Sequence, residues 1–246
     1  MTSKILLITE GKRSEPKLFN KIIELFKIEE DISLYEYKSS IYSLYDYIKN
    51  NYDINDLSSL DIVNVLKGKL RSSNEHDRDK YLEMLNQKFT DIILIFDFEP
   101  HDPKFDDKVI LNLSQNFKNE TANGLLLINY PMHESYKHYK YSQDKKDESF
   151  IDLKVSREEW KGYKQLSAEY SNINRTEFLT SDIVRKIILA HSEKIEFISN
   201  SEKNHDKLYN LLSKQVESRQ SGFVYVVNTS LTFFEKNFST VIFGES

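Results

Sequence analysis

The chain has 246 residues, with 34 Lys and Arg against 39 Asp and Glu, a net charge of −5 and no cysteine. Without thiols a disulfide framework, a zinc finger, an iron–sulfur cluster and a cysteine nucleophile are all excluded, and the cytoplasm is the default compartment. Hydrophobic residues make up 39 %, including 15 Phe and 15 Tyr, enough for a sizeable core, and no apolar run approaches the ~20 residues of a membrane helix, so a soluble protein with no membrane partner is expected.

Residues 4–9 form a short apolar run that suits a strand buried on both faces of a parallel sheet. The opening segment is too short for a signal-peptide core and continues directly into that strand. Glu10-Gly11 ends it. Ser14 is placed to cap a helix carrying Glu15 and Pro16 in its first turn and Leu18, Phe19, Ile22, Ile23 and Phe26 on one stripe. A second strand over 32–38 and a helix with Ile41, Leu44, Tyr45 and Ile48 follow. Residues 56–90 read as a helical insertion, with Leu60, Val63, Leu66 and Leu70 on one stripe and Tyr81, Leu85 and Phe89 on another.

Residues 91–99 are again apolar and then abruptly acidic, and Pro100 and Pro103 stop the strand. A helix through Phe105, Val109, Leu113 and Phe117, a turn at Asn123-Gly124 and a buried strand over 125–129 come next. This alternation predicts an α/β fold with a mostly parallel sheet flanked by helices. Beyond Tyr130-Pro131 the stripes are helical, through Ile183, Ile187, Ala190 and Ile195 and then Leu208, Leu211, Leu212 and Val216, with a short strand near 223–227. The expected division is an α/β domain over 1–145, with the insertion at about 55–90, and a mainly helical C-terminal lobe over 146–246.

Ligands of open parallel sheets collect at the carboxyl ends of strands, and both strong strands end in acids: Glu10 on one, Asp97 and Glu99 on the other. Asp97 and Glu99 are two apart and so share a side of an extended chain. Carboxylates from two strand ends suit a hard divalent ion, Mg2+ or Mn2+, or a pair of ions clamping a phosphodiester. The bland alternative is a set of solvated strand-end acids. A net negative chain lacks a broad basic face for nucleic acid, but a metal held by carboxylates carries its own positive charge to phosphate. Gly11-Lys12-Arg13-Ser14 lacks the second glycine and the ending of a P-loop, and no serine-hydrolase elbow occurs. His133 and His138 read as surface or partner residues.

Residues 5–19, ILLITEGKRSEPKLF, resemble the opening motif of a Toprim domain in its RloB-like form, with a hydrophobic strand, Glu-Gly, Ser-Glu-Pro and an aromatic. Residues 92–99 resemble the second Toprim motif, an apolar strand ending Asp-x-Asp, with Glu99 in the place of the second Asp. The resemblance covers about the first 130–140 residues. The long separation of Glu10 from Asp97 exceeds a minimal Toprim spacing and requires the helical insertion. What the resemblance implies is a Toprim-like fold and a metal-dependent nuclease of DNA or RNA, tRNA among the candidates. Glu10 would act in acid/base chemistry or metal binding, Asp97 and Glu99 would hold the ion, and Asp102 would be an additional ligand. It further implies an antiphage defence effector of the RloB-like and OLD-like groups, paired with a separate ATPase, with self-association left open. The alternative is a non-catalytic Toprim-fold binding or regulatory subunit.

Lys12 and Arg13 either meet phosphate beside Glu10 or form a charged turn. Glu134, after the next strand, either lines the site or begins a helix whose amide dipoles favour an acid. Lys137 lies within the one aromatic-basic stretch, Tyr136 to Tyr141, suited to stacking bases, although packing against the lobe is the first expectation for its tyrosines.

Overall fold

A computed structural model describes residues 3–52, 57, 59–121, 123–173, 175–200 and 204–244. The chain is an α/β protein built on a five-stranded sheet. Strand β1 (Lys4–Thr9) leads to helix α1 (Ser14–Phe26), β2 (Asp31–Glu36) and α2 (Ile41–Asn51). Helices α3 (Ile62–Arg71) and α4 (Arg78–Leu85) occupy the insertion; residues 53–56 and 58, at its start and just before it, lie outside the described residues. Strand β3 (Asp91–Asp97), α5 (Asp107–Asn116), the two-residue β4 (Lys118–Asn119) and β5 (Gly124–Asn129) complete the sheet.

The strand order is β2-β1-β3-β5-β4, parallel throughout except for β4. Leu6, Leu7, Ile8, Ile93, Leu94, Ile95 and Phe96 are each at most 1 % exposed. The two central strands are therefore covered on both faces, which is what their unbroken apolar runs require. From β1 the chain crosses to β2 in one direction, whereas the crossovers into β3 and β5 run in the other. Right-handed crossovers then put α1 on one face and α2 and α5 on the opposite face. The aromatic contacts agree: Phe19 of α1 meets Phe234, and Tyr42 of α2 meets Phe105 ahead of α5.

The C-terminal part contributes a ribbon of β6 (Lys154–Ser156) and β7 (Phe223–Tyr225), short helices α6 (Arg157–Trp160) and α7 (Tyr163–Tyr170), and the longer α8 (Ser181–Ser199), α9 (Asn204–Gln220) and α10 (Ser230–Phe243). Ser156 and Glu159 form a reciprocal capping box at the start of α6. Helix α8 packs on α1, α9 on α5 and α10 on β5, and one continuous hydrophobic cluster joins these helices to the sheet. Residues 227–230 fasten the two parts together. Tyr130 and Val227 exchange backbone hydrogen bonds of 2.7 and 2.8 Å, Thr229 Oγ1 donates to the Ile128 carbonyl at 2.8 Å, and the Ser230 amide donates to Asn129 Oδ1 at 3.2 Å. No helix among the described residues is long and apolar enough to cross a membrane.

Several local expectations shift. Strand β3 ends at Asp97, two residues earlier than predicted, and β4, β6 and α10 had no periodic signal of their own. Ser14 does not cap α1: the cap position is Arg13, and Ser14 is the first helical residue. Gly124, entering β5, has φ +111°, and a Cβ there would stand 2.5 Å from Leu94 Cδ1. We expect Gly124→Ala to lower stability by about 1–3 kcal/mol through backbone strain and overpacking, read as a lower urea midpoint at unchanged m-value.

Candidate active site at the ends of the central strands

Because β1 and β3 are neighbours whose crossovers leave in opposite directions, the sheet opens a crevice at their carboxyl ends. Glu10 and Asp97 meet there. The Glu10 amide donates to the Ile95 carbonyl at 3.1 Å, and Glu10 Oε2 accepts the Asp97 amide at 3.0 Å. Backbone and side chain of Glu10 are thus both held by β3. The other wall of the crevice comes from Asn129, the register partner of Asp97 on β5, which is fully buried.

Glu15 lies beneath them and was read from sequence only as a first-turn acid. It is buried, its Oε1 accepts the Gly11 amide at 3.0 Å, and its Oε2 accepts the Ser14 hydroxyl at 2.8 Å. Position 11 must be glycine for this seat, since a Cβ would fall 2.1 Å from Glu15 Oε2. The signal in the sequence was the Glu-Gly-x-x-x-Glu spacing, which returns a carboxylate to the glycine amide one helical turn on.

Glu99 reaches the site by a different route from the one expected. It stands past the end of β3 with φ +41°, so the same-side argument for an extended chain does not apply. Its amide donates to the Pro131 carbonyl at 3.0 Å, and its carbonyl accepts the Asp102 amide at 2.9 Å, closing a turn that brings Asp102 close enough to raise the Glu99 carboxyl. Asp102 Oδ1 also accepts the Lys104 amide at 2.7 Å.

This crowding of carboxyls sets the electrostatics. Burial, reinforced by Glu99, Glu15 and Asp102, raises Glu10 to about 8 against the opposing hydrogen bond from the Asp97 amide. Burial and the carboxylates Glu10, Glu15, Glu134 and Glu99 hold Asp97 well above the ordinary range, and Asp97 Oδ1 is buried with no hydrogen-bond partner. Glu99 is raised by burial and by Asp102. Among the described residues no lysine, arginine or histidine forms an ion pair with Glu10, Asp97, Glu99 or Asp102.

The remaining predicted residues divide. Glu134 is buried and close enough to act on Asp97, and it pairs with Lys164 at 2.9 Å; burial opposes its ionisation, but His133 and Lys164 bring it below the usual carboxylate value. Lys137 faces Glu134 and Lys164, with its ammonium 5.6 Å from the Tyr136 ring centre. Lys12 and Arg13 are exposed at the crevice rim. Tyr136 and Tyr139 are buried, and the Tyr141 hydroxyl donates to Asp182 at 2.8 Å, so these tyrosines pack the lobe. His133 and His138, expected at the surface, are buried; burial depresses both, and neither ring nitrogen of His133 has a hydrogen-bond partner.

The donor set fits a hard divalent cation in kind: all-oxygen ligands, raised affinity for positive charge and an orphaned carboxylate oxygen. Its spacing is not a finished coordination shell, because no group of three or more His, Asp or Glu among the described residues stands at metal-holding distances. Binding an ion therefore requires the carboxyls to draw closer together.

With Glu10 at about 8 in the folded chain and 4.5 as its ordinary value, the folded state binds more protons across that interval, so stability is full below pH ~4.5 and falls as pH rises towards 8. Thermal melts should show this decline in the wild type and a flatter profile in Glu10→Gln. Asp97→Asn, which removes a buried like charge, should be more stable than wild type at pH 8 by about 1 kcal/mol; equal slopes in all three proteins would contradict the assignment. The chain matches no protein-family model, no curated protein and no solved structure.

Proposed function

We propose that the protein is a Toprim-like, divalent-metal-dependent nuclease that hydrolyses phosphodiester bonds in DNA or RNA. The observation that carries this reading is the partly buried Glu10–Asp97 pair at the strand switch point, joined through the Asp97 amide, surrounded by further acids and, among the described residues, without an ion-pair partner of its own. Isolated buried carboxylates are costly, and clusters with shifted pKa values concentrate where chemistry is done.

Asp97, Glu99 and Asp102 would hold Mg2+ or Mn2+, with Glu10 at their side. Such an ion, when bound, stabilises charge building on the phosphate and lowers the pKa of water. The chain's own contribution is proton handling and orientation. Without an ion Glu10 is raised to about 8, and beside a divalent cation it would come down towards neutrality, the range asked of a general acid or base, while the Asp97 amide engages one of its two oxygens and leaves the other to handle the proton. Glu15 holds the Gly11 turn so that Glu10 stays against β3. Lys12 and Arg13 lie two and three residues beyond Glu10, at the start of α1, where exposed cations can meet substrate phosphate. Glu134 and its ion-pair partner Lys164 both act on Asp97 through space, with opposite signs.

The resemblance to RloB-like proteins extends the proposal to an antiphage effector working in the cytoplasm with a separate ATPase subunit. A second reading, a binding or regulatory subunit without turnover, is favoured by the unfinished coordination geometry. Purified protein incubated with plasmid, single-stranded DNA and total tRNA, with Mg2+, Mn2+ or chelator, separates the two. The nuclease reading expects metal-dependent cleavage that drops by about 10²–10⁴-fold in Glu10→Ala and is lost in Asp97→Ala, with the circular dichroism spectrum unchanged. A Mn2+-dependent rise in melting temperature without cleavage of any substrate selects the binding subunit.

A further inference from the structure

Beside the acid crevice, at the carboxyl ends of β1 and β2, lies a second cleft of about 620 Å3 whose far wall is the α3–α4 insertion. Its floor is Tyr37, which is buried and touches Phe96 of β3. Lys12 and Arg13 stand on the side shared with Glu10, while Lys69 of α3 stands opposite. Lys38 joins the two walls by pairing with Glu75 at 3.0 Å.

The charges of the cleft are unevenly satisfied. Glu75 is neutralised by Lys38, Glu36 interacts with the Tyr81 hydroxyl, and Asp77 is exposed at the rim. Among the described residues Lys12, Arg13 and Lys69 have no carboxylate within ion-pair distance. Lys69 is the most telling of the three: it is half-buried, its ammonium sits 3.6 Å from the Tyr37 ring centre, and burial lowers its pKa. Lys69 is thus a part-desolvated cation held by the Tyr37 ring face and by the more distant charge of Glu75, which is already paired with Lys38, and an anion entering the cleft would complete its balance.

We propose that this cleft is a phosphate-binding track for a single nucleic-acid strand, with Lys69 on one wall and Lys12 and Arg13 on the other, leading the strand into the acid crevice. The inference rests on the nuclease reading for its direction, from cleft to Glu10, and assigns the insertion a substrate-binding role. A volume of about 620 Å3 accommodates a short stretch of one extended strand and is too small to enclose a duplex. The grip is on the backbone and is tolerant of sequence, since Tyr37 is too buried to stack a base.

The test is fluorescence anisotropy of labelled single-stranded DNA and RNA oligonucleotides over a salt series, in chelator so that binding is read without turnover. Lys69→Gln and, separately, Arg13→Ala should each weaken binding about three- to tenfold and make the log–log salt slope shallower by about 0.7, with melting temperatures near wild type. Arg13 is exposed, so its variant reports even if the half-buried Lys69→Gln folds poorly. Wild-type affinity and slope in Arg13→Ala and a folded Lys69→Gln overturn the track. So does equal binding of duplex and single strand, or competition by a mononucleotide as effective as that by the polymer. Asp97→Asn distinguishes this proposal from the one it rests on: cleavage lost with oligonucleotide binding retained supports both, binding through the cleft with no cleavage by the wild type leaves the track standing and removes the nuclease, and wild-type cleavage with unaltered binding in the cleft variants does the reverse.

Discussion

The parallel pairing of β1 with β3 is the constraint from which the rest follows. Once Ile5 to Thr9 are in register with Asp91 to Ile95, two strand ends far apart in sequence are fixed side by side, and the helices that follow them are forced to opposite faces. Glu10 then has nowhere to go but against β3, where backbone groups of Ile95 and Asp97 take both its amide and its carboxylate. Every other feature of the crevice, from the Glu15 seat to the Glu99 turn, is arranged around that contact.

The crevice illustrates how a fold can tolerate a locally unfavourable charge set. The core beneath it is extensive: the central strands are buried along their length and the same apolar cluster continues into α8 and α10. A stable sheet can therefore carry several poorly solvated carboxyls at its edge, at a cost small beside the hydrophobic burial of the whole chain. Its buried carboxylates are satisfied in two ways: Glu134 pairs with Lys164, and Glu15 accepts from the Gly11 amide and the Ser14 hydroxyl. Among the described residues Glu10, Asp97, Glu99 and Asp102 form no ion pair, and that lack of a paired cation, rather than acidity itself, gives the site its character.

Much of this was legible in the residues. Strands β1, β3 and β5 declare themselves because burial on both faces demands an unbroken apolar run, and Glu10 and Asp97 stand where such runs stop. The rest escaped for identifiable reasons. Glu99 depends on a left-handed turn set by a contact with Pro131 that no local pattern encodes. Glu15 looks like any first-turn acid until the Gly11 amide is known to reach it. His133 and His138 have polar side chains but sit among aromatic neighbours, Phe19 and Tyr136 for the first and Tyr163 and Tyr170 for the second, so their burial is a tertiary fact. Strands of two or three residues, such as β4 and β6, are too short to show a period, and α10 is apolar on more than one side because it lies between α8 and the sheet.

The fastening of residues 227–230 onto the end of β5 has a consequence for the order in which the molecule comes into being. The partners of Asn129 and Ile128 are 101 positions downstream in each case. During synthesis, which releases the N-terminal part first, the acid-bearing strands leave the ribosome long before the segment that seals their neighbour. The crevice wall at Asn129 is then incomplete, and contacts of such long sequence separation form slowly. A nascent chain is thereby kept from presenting a finished crevice until residues 227–230 have emerged and docked, so the acids at the ends of β1 and β3 gain their full surroundings only when synthesis is almost over.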